Sequence, residues 1–149
     1  MDLILWRHAD AADGSPDHAR ELTAKGRNQA SRMAAWLNQR LPQDTLVLVS
    51  PAVRAQQTAH ALKRTVSTTA ALDTSSDCAA VLKAVGPPRD SGTTLVVGHQ
   101  PTLGRIAALL LTGEAGEMGV KKSAVWWFSV RRDYKTLAQL RAVMTPRLL

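Results

Sequence analysis

Three apolar runs of strand length, Leu3-Ile4-Leu5-Trp6, Leu46-Val47-Leu48-Val49 and Thr94-Leu95-Val96-Val97, are separated by stretches whose apolar residues recur at helical spacing. Runs without polar alternation fit strands covered on both faces. Strands alternating with helices are joined by right-handed crossovers. The pattern therefore predicts an α/β fold, a three-layer sandwich with a mostly parallel central sheet and helices on both faces. Farther on, Ala124 to Val130 and Leu137 to Met144 read as an antiparallel hairpin that closes one edge. At 149 residues the chain reads as one domain spanning 1–149.

Each run leads into basic or proton-carrying side chains. Arg7-His8 ends the first, Ser50-Pro51 and then Arg54 follow the second, and Gly98-His99 ends the third. Parallel strands open their carboxyl ends on one side of the sheet, where such folds collect reactive groups. Arg7, His8, Arg54 and His99 are therefore expected to meet there.

The intervening segments fit this frame. Ala9 to Pro16 is small and polar, with a Gly and a Pro, and reads as a loop rimming the site. A helix capped near Leu22-Thr23 carries Ala30, Met33, Ala34, Leu37 and Leu41 on one face and stops before Pro42. Ser50-Pro51 reads as a cap and first-turn proline for a helix with Ala55, Ala59 and Leu62 on one side, which puts Arg54 beside backbone N–H groups that favour an anion. Val66 to Leu72 reads as a short edge strand, and Ser75-Ser76-Asp77 as the cap and acidic first turn of a helix through Val85, ended by Gly86-Pro87-Pro88. Pro101-Thr102 begins a helix to Leu111, and Glu114 to Gly119 form a link. Met33, Trp36, Trp126 and Trp127 are most simply core residues. On a strand the last two point to opposite faces, so at most one could line a pocket.

Lys and Arg number 19 against 12 Asp and Glu, a net charge of +7, which attracts acidic partners. The basic residues are dispersed, with only Lys121-Lys122 and Arg131-Arg132 adjacent, and aromatics do not interleave with them as on a base-stacking surface. A soluble basic surface is thus preferred over a nucleic-acid interface. Cys78 is the single cysteine, without Cys or His at metal-ligand spacing. The apolar stretch Ile106 to Leu111 is too short to span a bilayer, and the N-terminus lacks a leader pattern, so a cytoplasmic location is expected.

Two arginines can hold the oxygens of a phosphoryl group with forked donors. Of two histidines, one can accept that group on a neutral nitrogen and the other, protonated, can stabilise its charge. A metal site is the rival reading. Catalytic zinc takes three protein ligands and the arginines would repel a cation, so neither metal nor cofactor is expected.

Four separated stretches resemble the histidine phosphatase superfamily: Arg7-His8, Leu22-Thr23-x-x-Gly26-x-x-Gln29-Ala30, Ser50-Pro51-x-x-Arg54-Ala55-x-Gln57-Thr58-Ala59 and Val97-Gly98-His99-x-Pro101. The short chain is most similar to the SixA-type phosphohistidine phosphatases. The resemblance implies His8 as nucleophile, Arg7 and Arg54 as phosphate ligands, His99 as the fourth member of the pocket, and a histidine phosphotransfer domain as partner. Ala9 replaces a glycine common in the family.

No carboxylate stands out as a proton donor. Asp77, Asp73, Asp10 and Glu21 are all candidates, and Asp77 is as easily explained by helix charge. Without an acid the site suits phosphohistidine, whose imidazole leaves as a neutral ring, better than an alkyl phosphate. The alternatives are a small-molecule phosphomonoesterase on the same scaffold and a non-catalytic basic module binding phosphate or nucleic acid.

Overall fold

Leu3, Ile4, Leu5 and Trp6 have no exposed surface, because the strand that carries them, β1 (Asp2–Arg7), runs through the middle of the sheet. The computed structural model describes residues 1–149. The other strands are β2 (Leu46–Val49), β3 (Ser67–Thr68), β4 (Thr93–Gly98), β5 (Val125–Ser129) and β6 (Gln139–Met144). They are ordered β3-β2-β4-β1-β5-β6, parallel from β3 to β1, with β5 and β6 antiparallel. Helices α1 (Ala24–Asn38), α2 (Val53–His60), α3 (Cys78–Val85) and α4 (Thr102–Thr112) cover the faces. The expected α/β architecture is present, including the edge hairpin.

Side-chain alternation along β1 divides the core. Leu3 and Leu5 join Val96 and Phe128 against Val81 and Val85 of α3 and Leu103, Ile106 and Leu110 of α4. Ile4 and Trp6 join Val47, Val49, Leu95 and Val97 against Met33 and Leu37 of α1 and Ala55 and Ala59 of α2. Each strand therefore needs apolar residues at successive positions, which is why the three runs show no alternation.

Two local expectations are corrected. The edge strand is only Ser67–Thr68, both exposed, because Thr69 then caps a 3₁₀ turn, Ala70–Leu72, that carries Leu72 into the core. Ser50 and Pro51 lie before α2, whose N-cap is Ala52.

The hairpin contains an irregularity. Trp127 pairs with Ala142 while Phe128 pairs with Leu140, which leaves Arg141 as an extra residue on β6. Such a bulge re-aims the side chain it carries.

Candidate active site

The three apolar runs bring their following residues to one end of the sheet. Arg7 is in register with Gly98, and the ladder continues as the His8 N–H donates to the Gly98 carbonyl at 3.0 Å and the Ser50 N–H to the Val97 carbonyl at 3.1 Å. The rings of His8 and His99 stand 5.2 Å apart between centroids. Arg54, in the first turn of α2, donates from Nε to His8 Nε2 at 3.3 Å. Arg7, His8, Arg54 and His99 thus line one cavity of about 230 Å³. The cavity is completed by Arg20, Lys122, Gln100, Thr74 and Ala11.

His8 Nδ1 lies 2.8 Å from the Ala9 carbonyl oxygen, which can only accept, so this nitrogen carries the hydrogen. Nε2 is left with its lone pair beside Arg54. Burial pushes the His8 pKa from 6.5 to about 3, with the charges of His99, Arg54 and Arg7 adding to the effect and the Ala9 bond opposing it. Burial, then Arg54, pushes His99 to about 4 against the pull of Asp73 and Asp17. Both rings are therefore neutral near pH 7.

Ser50 orients His99. The Ser50 Oγ accepts from the Ala52 N–H at 3.2 Å and lies 2.7 Å from His99 Nε2. With the Ser50 hydrogen directed to Nε2, the ring hydrogen sits on Nδ1. His99 Nδ1 and Arg7 Nε are both buried without a protein partner, as is Thr94 Oγ1 in β4. Arg7 donates from Nη1 to the Val120 carbonyl at 3.0 Å, and burial, then Arg54, lowers its pKa. Two unmet buried nitrogens in the walls suit an oxyanion, which offers acceptors only.

Polar residues of the stretches around Gln29 and Arg54 hold the backbone around His8. Thr58 Oγ1 accepts from the Ala9 N–H at 3.0 Å, Gln29 Oε1 from the Asp10 N–H at 3.0 Å, and Gln57 Oε1 from the Leu22 N–H at 2.8 Å. A Cβ on Gly26 would stand 1.9 Å from the Asp10 carbonyl oxygen, so only glycine lets α1 approach this closely. Ala9 is fully buried in this packing.

Sequence reasoning missed several residues. Asp17, from a loop without pattern, accepts from Arg54 through its main-chain oxygen at 2.8 Å and its carboxylate at 3.1 Å. Arg20, then Arg54, holds that carboxyl below the usual range. Lys122 reaches Asp10 at 2.7 Å; this bond, then one from Thr23, lowers the Asp10 pKa. Ser50, read as a helix cap, instead orients His99.

The candidate acids lie elsewhere or are engaged. Asp77 is exposed and caps α3, its Oδ1 accepting from the Ala80 N–H at 2.8 Å. Asp73 accepts from the Thr74 N–H at 2.7 Å and, outside the main cavity, lines with His99 a smaller adjoining space, and Glu21 accepts from Gln57 at 3.0 Å. None of the residues lining the cavity is a carboxylic acid.

Known proteins resemble this chain in sequence and in fold. Residues 3–77 match the model of the histidine phosphatase superfamily, branch 1. The phosphohistidine phosphatase SixA of Escherichia coli (strain K12) is 32% identical, over 79% of each chain. A SixA homolog of Haemophilus influenzae is also 32% identical, over 74% of this chain and 77% of that one. A structure of the protein histidine phosphatase SixA complexed with tungstate superposes with a TM-score of 0.81 at 29% identity, covering 99% of both chains. No helix here is long and apolar enough to cross a membrane. The chain belongs to the histidine phosphatase superfamily.

Proposed function

We propose that this phosphatase removes the phosphoryl group from phosphohistidine on a protein, through a covalent phosphohistidine at His8 Nε2. Phosphatase activity follows from family membership. The choice among phosphate compounds rests on one observation, that no carboxylic acid lines the cavity. Expelling an alkoxide near neutral pH requires a proton donor. Asp10 and Asp17, the carboxylates nearest the rim cations, are held ionised by those cations and cannot serve. A phosphorylated imidazole carrying a proton on its other nitrogen departs as a neutral ring and needs no acid. The names of the two relatives support the same substrate class.

In the first step the His8 Nε2 lone pair forms a bond to phosphorus as the substrate N–P bond breaks, and the substrate imidazole leaves with that electron pair. The Nδ1 hydrogen stays on His8, where the Ala9 carbonyl stabilises the positive charge the ring gains. Arg7, Arg54 and the His99 Nδ1 hydrogen are assigned to the phosphoryl oxygens. In the second step water bonds to phosphorus, the His8–P bond breaks, and its electrons return to Nε2. The water proton passes to phosphate or solvent. A histidine phosphotransfer domain is the partner that the family resemblance suggests.

The test is release of orthophosphate from a phosphohistidine-bearing protein and from a sugar phosphate. The reading expects turnover of the first, an acid-labile, base-stable phosphate trapped on His8 in quenched reactions, and no turnover by His8→Ala. Faster turnover of the sugar phosphate would overturn the substrate assignment, and absence of the trapped species would overturn the intermediate.

A further inference from the structure

A second cavity, of about 480 Å³, lies at the opposite end of β1, between the end of α1 and the β5–β6 hairpin. Its walls include Trp36, Trp127, Arg40, Arg141, Asp2 and Thr93. The two indoles stand edge to face, with centroids 6.4 Å apart at 85°. The Arg40 guanidinium carbon lies 4.6 Å from the Trp36 centroid, and that of Arg141 5.7 Å from the Trp127 centroid. Arg141 is the extra residue of the β6 bulge, so an irregularity in the ladder is what aims it into the groove. Asp2 ties it there, accepting from Arg141 and, at 2.8 Å, from the Trp127 indole N–H.

From this arrangement we propose that the groove binds a planar aromatic anion, of which a purine nucleoside monophosphate is the simplest representative. Two guanidiniums face one carboxylate, a net positive charge that repels cations and leaves N–H donors for an anionic group. Indole and guanidinium planes both accept a flat ring by stacking. The tryptophans pack edge to face, and beside them the groove leaves a volume within the usual range for small-molecule sites, roughly 300–1,000 Å³. The six residues of β1 separate the groove from the His8 cavity by roughly 20 Å. Occupancy of one does not block the other. The groove is independent of the phosphatase reading, and its test measures no turnover.

Adenosine 5′-monophosphate is titrated into the protein with orthophosphate in excess to fill the His8 cavity, and indole N–H resonances are followed by NMR. Adenosine alone and orthophosphate alone are the control titrants. Saturable shifts of the Trp36 and Trp127 signals are expected, with Trp6, bonded to Ser123, unmoved. Arg40→Ala and Arg141→Ala, both at exposed positions, should each weaken binding about tenfold or more. The proposal is overturned by absence of shifts at millimolar nucleotide, by adenosine binding equally well, or by unchanged affinity in either variant.

Discussion

His8 has its two nitrogens in different surroundings: Nδ1 is tied to the Ala9 carbonyl, while Nε2 faces Arg54 with its lone pair. Burial is the main reason that its pKa falls to about 3 and that of His99 to about 4. An unfolded histidine titrates near 6.5, so between that value and about 4 the unfolded chain binds more protons than the folded one. Stability is therefore unaffected by these rings above pH 6.5 and declines as pH falls from 6.5 toward 4. Denaturant midpoints measured across that window should drop, and His8→Asn should make the drop shallower; equal slopes would contradict the burial of a neutral ring. Imidazole ¹⁵N shifts of His8 and His99 should stay those of the neutral form down to pH 5 without phosphate. Ser50 acts one bond farther out. Ser50→Ala leaves buried His99 Nε2 unpaired and frees the ring to change tautomer, a loss of about 1–3 kcal/mol. That loss lowers the unfolding midpoint, and the freed ring should separately lower kcat/KM about tenfold.

The first turn of α1 makes the sharpest prediction about an element. In an exposed helix Gly→Ala ordinarily adds about 1 kcal/mol of stability, since glycine is the poorer helix former. At Gly26 the added methyl would meet the Asp10 carbonyl at 1.9 Å, so the sign should reverse. Gly26→Ala is expected to lose about 1–3 kcal/mol, as overpacking does, and to weaken the loop behind His8. A stabilised variant with full activity would show that α1 does not hold this loop. The elements themselves were legible for the reason the core requires: strands covered on both faces must be apolar at every position, and Leu3 to Trp6, Val47 to Val49 and Leu95 to Val97 are. Where a covering layer is missing the signal fails. Ser67 and Thr68 are exposed edge residues, and nothing in them distinguishes a two-residue strand from the Val66 to Leu72 span that their composition suggests. Arg7, His8, Arg54 and His99 were legible because each sits beside the end of an apolar run. Asp17 and Lys122 come from loops without periodicity, and only the folded chain brings Asp17 to Arg54 and Lys122 to Asp10.

Over the whole molecule the net charge of +7 is spread broadly, yet Arg20 and Lys122 stand at the mouth of the His8 cavity. Asp17 pairs with Arg54 and Arg20, and Asp10 with Lys122, which neutralises part of that charge. Arg7, Arg20, Arg54 and Lys122 still outnumber the two carboxylates, so an approaching acidic protein would meet a positive field before any contact forms. Such steering acts on the encounter rate and fades as the screening length shortens from roughly 14 Å at 0.05 M salt to about 4 Å at 0.5 M. Free phosphohistidine carries little charge beyond the phosphoryl group itself and gains less from the same field. On this reasoning kcat/KM toward an acidic phosphohistidine-bearing protein should fall about tenfold over that salt range, while kcat/KM toward the free amino acid falls much less. Charge reversal at Lys122 should flatten the difference, although its bond to Asp10 makes Lys122→Gln the gentler comparison. Parallel salt dependence of the two substrates would mean that the basic surface plays no part in delivering the protein, and that recognition is confined to the phosphoryl group in its cavity.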